Sequence, residues 1–245
     1  MTLPRRRATI GDTRGRRSAR RPVVKRTYFL GVAGNIGVGK THLTRWLGER
    51  LGWEVFYEPV IDNPYLDDFY SDMRRWSFHL QVFFLSRRFE MHRKMMHNLL
   101  SCVQDRTIYE DAEVFARTLH ATGAMDDRDH ENYRALFDSM TAYLRPPDAI
   151  IYLRATVPTL LQRIDQRGRP CERTIAPEYL QLLGAAYDEW AATRAPQQRF
   201  IVVDTDGIER VETHPAIQKL VADIERGQEV AVSPHHPTDG GTRTA

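Results

Sequence analysis

One eight-residue stretch constrains the fold of this chain more than any other. It is Gly34-Asn35-Ile36-Gly37-Val38-Gly39-Lys40-Thr41, which fits the pattern G-x-x-x-x-G-K-[ST] and follows an apolar run from Tyr28 to Val32. Glycines let the backbone wrap tightly enough to point several N–H groups inward, and a helix that begins directly afterwards adds the positive end of its dipole. The stretch predicts a phosphate-binding loop between a strand and a helix, with Lys40 on the β- and γ-phosphates and the Thr41 hydroxyl on Mg²⁺.

Apolar strand-like runs alternate with helical patterns along most of the chain. The predicted strands are Tyr28–Val32, Glu54–Tyr57, Ser101–Asp105, Ala149–Leu153 and Phe200–Asp204. The predicted helices are His42–Leu51, Arg75–Leu100, Ala112–Thr122, Arg128–Leu144, Val157–Gln166, Pro177–Thr193 and Pro215–Glu225. This alternation predicts an α/β fold with a five-stranded parallel sheet that is covered by helices.

The longest helical pattern carries a stripe of large apolar side chains on one face. The stripe consists of Trp76, Leu80, Phe83, Phe84 and Met91, at i, i+4, i+7, i+8 type spacing. Such a stripe is more often part of a hydrophobic core than of a ligand site, and we interpret it as core.

The two ends of the chain differ from its middle. Residues 1–26 contain ten basic side chains against a single acid, Asp12, so the overall formal charge of +3 hides a net acidic remainder. Neither this basic arm nor residues 227–245 show apolar periodicity, and we expect both to be disordered around one folded domain over residues 27–226. The arm fits a solvated tail, a contact with nucleic acid or an organelle transit peptide. Because no aromatic or amphipathic pattern accompanies its charge, we favour the tail and do not expect nucleic-acid binding.

Cysteine usage and hydropathy indicate where the protein works. Cys102 and Cys171 are the only two cysteines and lie far apart, which argues against a disulfide framework or a zinc site. No apolar stretch approaches the ~20 residues of a membrane span, and no apolar segment of a secretory signal follows the N-terminal arginines. We therefore expect a soluble cytoplasmic protein without a membrane partner, and targeting to an organelle by the arm stays open.

Polar residues at the strand ends decide the chemistry, because ligands of a doubly wound sheet gather at the carboxyl ends of its strands. The second predicted strand runs into Glu58, which is placed like a base that accepts the proton of an alcohol. The third ends in Asp105-Arg106, where the acid can serve Mg²⁺ and the arginine can steady phosphates or pair with Glu58. Asp111 lies one helical turn further on and is expected to face the same cleft. Ordinary surface or salt-bridge roles for these residues stay open.

Three arginines follow the fourth predicted strand. Arg163, Arg167 and Arg169 span a helix end and a loop, with Gly168 as a hinge. Arginines on a mobile loop can close over transferring phosphates and exclude water, which protects the phosphoryl group from hydrolysis. We interpret the segment as a lid, and the competing interpretation is a solvated basic helix end that the helix dipole favours.

Taken together, these segments resemble the deoxyribonucleoside kinase family, in particular its bacterial deoxyadenosine and deoxyguanosine kinase branch. The resemblance covers roughly Tyr28 to Asp206. Besides the phosphate-binding loop it rests on Tyr57-Glu58-Pro59-Val60 with Asn63-Pro64-Tyr65-Leu66, Arg75-Trp76-Ser77-Phe78-His79-Leu80-Gln81, Asp105-Arg106-Thr107-Ile108-Tyr109-Glu110-Asp111 and Arg167-Gly168-Arg169. It implies a P-loop kinase fold, transfer of the γ-phosphoryl of ATP to the 5′-hydroxyl of a deoxynucleoside in nucleotide salvage, a requirement for Mg²⁺ and a homodimer.

The resemblance also implies roles at the reacting end of the substrate. Glu58 matches the family's general base for the 5′-hydroxyl, and Arg106 matches the arginine of its Glu-Arg-Ser motif. Tyr70 and Glu172 fall where the family binds the 3′-hydroxyl. The chain departs from the family at Asp105-Arg106-Thr107, where an acid one methylene shorter is expected to serve the metal through water.

At the base edge the resemblance implies an amide, an arginine and an acid. Gln81 matches the family's amide, which offers a donor and an acceptor side by side. Gapless counting along the helix selects Arg88 over Arg87 as the base-contacting arginine, and Asp111 matches the acid that pairs with it. Thymidine-type members carry a small residue at the position of the acid, so a purine deoxynucleoside or deoxycytidine is favoured over thymidine.

Two other functions fit parts of the same pattern. A nucleoside monophosphate kinase shares the loop and the lid, but Glu58 would repel the second phosphate at its acceptor site. A catalytically inactive, kinase-like scaffold subunit would be expected to carry a damaged site, whereas Lys40, Thr41, Glu58 and Arg106 are all present.

Overall fold

A five-stranded parallel sheet forms the centre of the protein. The structure is a computed structural model that describes residues 27–57, 63–97, 100–169, 172 and 174–228. The strands are β1 (Phe29–Gly34), β2 (Glu54–Phe56), β3 (Cys102–Asp105), β4 (Ala149–Arg154) and β5 (Phe200–Asp204), in the order β2-β3-β1-β4-β5. Every pairing is parallel, and Leu30 on β1 lies opposite Val103 on β3 and Ala149 on β4. The predicted α/β fold and its sheet are confirmed.

Helices fill the connections between the strands. They are α1 (Lys40–Leu51), α2 (Leu66–Ser71), α3 (Met73–His97), α4 (Ile108–Glu110), α5 (Arg117–Ala121), α6 (Asp127–Thr141), α7 (Val157–Arg167), α8 (Pro177–Arg194) and α9 (Pro215–Glu225). A π-helical segment, Asp111–Ala116, joins α4 to α5, and a 3₁₀ turn, Val211–Thr213, precedes α9. Six of the seven predicted helices are confirmed to within a few residues at their ends. The seventh, Ala112–Thr122, is π-helical over Asp111–Ala116 and α-helical over Arg117–Ala121, and α2 and α4 were not predicted.

Strand β1 occupies the middle position of the sheet, which its apolar residues on both faces favour. All six of its residues are buried, as expected for a parallel strand that is covered on both sides. At its end, Gly34 has φ +139°, and a Cβ there would lie 2.3 Å from the carbonyl oxygen of Leu153 on β4. Only glycine fits this close approach, so the chain can leave β1 directly into the phosphate-binding loop.

The aromatic stripe on α3 is only partly core. Leu80 is buried in the main hydrophobic cluster, where Trp76 and Phe84 pack against it. Leu80 and Phe84 also line a pocket, so the interpretation of the stripe as core was incomplete. One face of α3 supports both the core and a ligand-sized space.

Several predictions concern residues outside the described part of the chain. These are the basic arm, residues 1–26, the tail from residue 229 onward, Glu58 and Cys171. Among the described residues, no helix combines the length and the apolar character that crossing a lipid bilayer requires.

Candidate active site

The phosphate-binding loop is held rigidly between β1 and α1. The Asn35 side chain accepts from the Ile36 backbone N–H at 2.8 Å and donates to the Leu180 carbonyl on α8 at 2.7 Å. Lys40 is buried, and its Nζ donates to the carbonyl oxygens of Gly34 and Asn35, both at 2.9 Å. The ammonium group thus lies across the base of the loop, where it faces the space that the loop amides surround.

Two oxygen-bearing side chains, which the sequence suggested as metal ligands, meet at the edge of this loop. The Thr41 hydroxyl donates to Oδ2 of Asp105 at 2.5 Å, although the two residues lie on different elements. A hydroxyl and a carboxylate at this spacing form the kind of oxygen donor set that Mg²⁺ prefers, with its remaining positions left to water and phosphate. The residues present therefore fit a magnesium ion.

Two of the three predicted lid arginines are oriented by one carboxylate. Arg167 forms a hydrogen-bonded ion pair with Glu172 through Nε at 3.1 Å and through Nη2, and Arg169 reaches the same carboxylate at 3.4 Å. Gly168 between them has φ +67° and ends α7. Both arginines line the pocket around the loop. The lid therefore keeps two cations near the loop while their charge is partly balanced by Glu172.

Arg163, the third predicted lid arginine, makes a different set of contacts. Its guanidinium donates to the hydroxyl and the carbonyl of Thr205, at 2.9 and 2.8 Å, and to the Val38 carbonyl at 3.2 Å. The side chain therefore joins α7 to the loop after β5 and to the phosphate-binding loop. It also lines the pocket there, and a direct contact with phosphate stays a prediction.

Arg106 lies at the end of β3 in a buried polar network. Its Nη1 donates to the Tyr187 hydroxyl at 2.6 Å, and this hydroxyl donates to Oε2 of Glu110 at 2.7 Å. Glu110 lies 3.6 Å from Arg106 and also accepts from the Thr107 backbone N–H at 2.8 Å. Complete burial raises the pKa of Glu110 above its ordinary value, and the nearby Arg106 opposes this shift.

A second buried ion pair forms the polar end of a pocket beside the loop. Arg88 on α3 and Asp111 on the π-helical segment are each 1% exposed and bind each other directly. The Arg88 guanidinium also lies 4.8 Å from the centre of the Phe84 ring. Burial raises the pKa of Asp111 to about 6, although Arg88 opposes this shift. Arg87, the alternative in the sequence register, is half exposed and lies over Phe83 instead.

The remaining predicted substrate residues line the same pocket, which we call the inner pocket. Gln81 is 2% exposed, and its Oε1 has no hydrogen-bond partner within the described part of the chain. Oδ2 of Asp111 is likewise buried without a partner there. Tyr70 and Glu172 also line this pocket, and Glu172 contacts Arg167 and Arg169. Its apolar walls are formed by Leu66, Phe69, Leu80, Phe84, Phe115 and Tyr179.

Three concave spaces follow one another across the phosphate-binding loop. The inner pocket shares Gly37, Lys40, Arg167 and Arg169 with a loop pocket that also contains Thr41 and Asp105. The loop pocket in turn shares Gly39, His42 and Arg163 with an outer groove between α7 and the loop after β5, which also contains Thr205 and Gly207. Since the inner pocket and the outer groove share no lining residue, the loop pocket lies between them.

Sequence reasoning missed Glu110, Tyr187 and the outer groove. Thr107 and Glu110 stand at the spacing of a helix capping box, T-x-x-E, and this signal could have marked Glu110 as ordered. Tyr187 lies 77 residues from Glu110 in a helix pattern with no local feature that sets it apart. Glu58, the predicted general base, lies outside the described residues, and its role stays a prediction.

Comparisons with known proteins indicate the family of this chain. The profile of the family described as "Deoxynucleoside kinase" matches residues 30–227. The chain is 40% identical over 169 residues to a deoxyadenosine/deoxycytidine kinase of Bacillus subtilis (strain 168), covering 68% of this chain and 78% of the relative. It is 43% identical over 161 residues to a deoxyadenosine kinase of Dictyostelium discoideum, covering 66% of this chain and 65% of the relative.

A solved structure leads to the same family. Deoxyadenosine kinase from M. mycoides with bound dATP superposes with a TM-score of 0.71 at 27% identity, covering 81% of this chain and 99% of that protein. The family profile spans nearly all of the described residues, and the five-stranded parallel sheet with its flanking helices agrees with the fold of the solved structure. The chain belongs to the deoxynucleoside kinase family.

Proposed function

We propose that this protein transfers the γ-phosphoryl group of ATP to the 5′-hydroxyl of a deoxynucleoside, in nucleotide salvage. The observation that carries the proposal is the order of the three spaces, because the loop pocket lies between two further recesses. Phosphates bound at the loop would then have the acceptor on one side and the donor nucleoside on the other. This order is compatible with the in-line attack that phosphoryl transfer requires.

The donor would bind across the loop pocket and the outer groove. The loop amides and Lys40 would hold the β- and γ-phosphates, as in other loops of this type. Arg167 and Arg169 would exchange part of their contact with Glu172 for phosphate oxygens, and Arg163 would contact the donor from α7. The nucleoside of ATP would occupy the outer groove, beside Thr205.

Thr41 and Asp105 would hold Mg²⁺ at the phosphates, because their oxygens already lie within 2.5 Å of each other. When bound, the ion supplies positive charge to the β- and γ-phosphate oxygens. The protein's own contribution at this point is to orient the two ligands from β3 and α1, and to keep Lys40 beside them.

The deoxynucleoside would occupy the inner pocket with its base at the Arg88–Asp111 pair. Oε1 of Gln81 and Oδ2 of Asp111 are buried acceptors without partners among the described residues, so the fitting ligand brings N–H donors. An exocyclic amino group supplies two, which favours deoxyadenosine, deoxyguanosine or deoxycytidine over thymidine. Tyr70 and Glu172 would bind the 3′-hydroxyl of the sugar.

The chemical step needs one base and several cations. Glu58 would accept the proton of the 5′-hydroxyl as its oxygen attacks the γ-phosphorus, and ADP would leave. Lys40, Arg106 and the lid arginines would offset the negative charge of the transition state. The role of Glu58 rests on the sequence motif around it.

Four deoxynucleosides, each tested with ATP and Mg²⁺, provide the decisive experiment. The wild-type protein, Glu58→Gln and Glu49→Gln would be compared at matched concentrations, because Glu49 is an exposed glutamate on α1 that serves as a control. Activity on an amino-bearing base that falls by roughly a hundredfold or more in Glu58→Gln, but not in Glu49→Gln, supports the proposal. Phosphorylation of deoxynucleoside monophosphates alone would favour a monophosphate kinase, and ATP binding without any transfer would favour a scaffold role.

We also propose that the protein is a homodimer, as the family resemblance implies. Size-exclusion chromatography with light scattering tests this directly, since one chain has a mass of 28.4 kDa. A single species at the monomer mass at micromolar concentration would contradict the proposal.

A further inference from the structure

The backbone of Arg106 adopts a conformation that side-chain-bearing residues rarely take. Its φ is +64°, and among the described residues it is the only non-glycine with a positive φ. Such conformations persist only where the surroundings determine them strongly, and they concentrate at functional sites. The residues that hold Arg106 in this conformation are therefore candidates for a role in its function.

The guanidinium of Arg106 contacts two buried polar groups and one partly buried aromatic ring. Nη1 donates to the Tyr187 hydroxyl at 2.6 Å, and Nη2 donates to the Gly34 carbonyl at 3.4 Å. The third contact is the ring of Phe115, whose centre lies 4.5 Å from the guanidinium carbon. Arg106 still lines the inner pocket, so this clamp leaves part of the side chain facing the ligand space.

Glu110 connects this clamp to the phosphate-binding loop. Its Oε2 accepts from the Tyr187 hydroxyl at 2.7 Å and from the Gly34 backbone N–H at 3.4 Å. Its Oε1 accepts from the Thr107 backbone N–H, directly after Arg106. One carboxylate thus fixes both the backbone beside Arg106 and the first residue of the loop.

We propose that Tyr187 and Glu110 are positioning residues for Arg106, which hold its guanidinium in the orientation that it uses on the transferring phosphoryl group. Neither residue lines the inner pocket or the loop pocket. Their effect on the reaction runs through Arg106, because a cation that is already oriented loses no freedom when transition-state charge develops. This inference rests on the proposed function and adds the residues that prepare its active site.

Tyr187→Phe is the sharpest test, because the ring is fixed independently of the hydroxyl. The ring stacks on Tyr152 at 5.5 Å and meets Phe115 edge-on at 6.2 Å, and both contacts survive loss of the oxygen. Tyr152→Phe is the matched control, since Tyr152 is also buried and its hydroxyl donates to Asp188 at 2.9 Å, away from Arg106. Both variants lose one buried hydroxyl of the same stacked pair.

The measurements are kcat, both KM values, thermal unfolding and a double-mutant cycle with Arg106→Lys. We expect Tyr187→Phe to lower kcat about tenfold or more, with each KM within about twofold, whereas Tyr152→Phe keeps kcat within about twofold. In the Arg106→Lys background, Tyr187→Phe should change kcat by less than about twofold, because the residue it positions is already altered.

Two results would overturn the inference while leaving the proposed function intact. One is a kcat for Tyr187→Phe that equals that of Tyr152→Phe, and the other is a full effect of Tyr187→Phe in the Arg106→Lys background. Glu110→Gln provides a second variant, for which we expect lowered kcat and preserved KM. A wild-type protein that phosphorylates no deoxynucleoside would instead remove the proposed function, and the inference with it.

Discussion

Replacing Asp111 by asparagine should destabilise the protein far more than the loss of an ordinary ion pair. Asp111 and Arg88 are each 1% exposed, so the substitution removes the negative charge from one side of a buried ion pair. Breaking one side of a buried pair costs about 3–5 kcal/mol. Asparagine keeps the shape and one acceptor oxygen, which places the expected loss near the lower end, at ~3 kcal/mol. For a domain of this size that corresponds to a fall in Tm on the order of 10 °C.

Urea unfolding with linear extrapolation measures this loss, and two further variants show its origin. Asp138→Asn is the matched control, because Asp138 pairs with Arg134 at 3.7 Å but is 67% exposed, and it should lose less than about 1 kcal/mol. The double variant Arg88→Met with Asp111→Leu removes both charges and should recover most of the stability but none of the activity. A loss below about 1 kcal/mol in Asp111→Asn, or a double variant no more stable than the single one, would refute the reasoning.

Three further predictions address binding, catalysis and packing. Deoxyadenosine affinity should fall as the pH drops below about 6, because Asp111, with a pKa raised to about 6, becomes protonated and one of its two acceptor oxygens turns into a donor; calorimetric titrations of Glu58→Gln should show the same fall in affinity. Lys40→Met should lower kcat by roughly a hundredfold or more at saturating ATP, which steady-state kinetics would detect. Gly48→Ala should cost about 1–3 kcal/mol in urea unfolding, since its Cβ would lie 2.1 Å from a Val55 methyl, and Val55→Ala in the same chain should restore part of the loss.

The sheet and most helices could be predicted because their patterns are local. Each predicted strand is an apolar run that a turn or helix pattern bounds, and a parallel sheet needs little more than that signal. Helix α2 was missed because six residues, Leu66–Ser71, are too few to show a helical period and include two aspartates. The π-helical segment, Asp111–Ala116, was missed because widening a helical turn changes hydrogen bonding without changing the apolar pattern.

The site was predictable where a short motif carries its chemistry. Thr41 and Asp105, 64 residues apart, meet because Asp105 ends β3 and Thr41 lies in the first turn of α1, which follows β1 at the same edge of the sheet. The contacts of Arg163 were not predictable, because a charge pattern shows that a side chain is basic but not which carbonyl it will reach. Tyr187 was not predicted for a similar reason, since its role depends on Arg106 and Glu110, which are distant from it in sequence.

Two consecutive carboxylates, Glu110 and Asp111, contact groups at opposite ends of the site. Glu110 turns toward Arg106 and the phosphate-binding loop, whereas Asp111 turns toward Arg88 and the far end of the inner pocket. Neighbouring residues on a helix project about 100° apart, so one short helix can serve both directions. Burial raises the pKa of each carboxylate, and an arginine opposes the shift in each case. Because the two residues are adjacent on one backbone, we expect a nucleobase bound at Asp111 and the placement of Arg106 to influence each other.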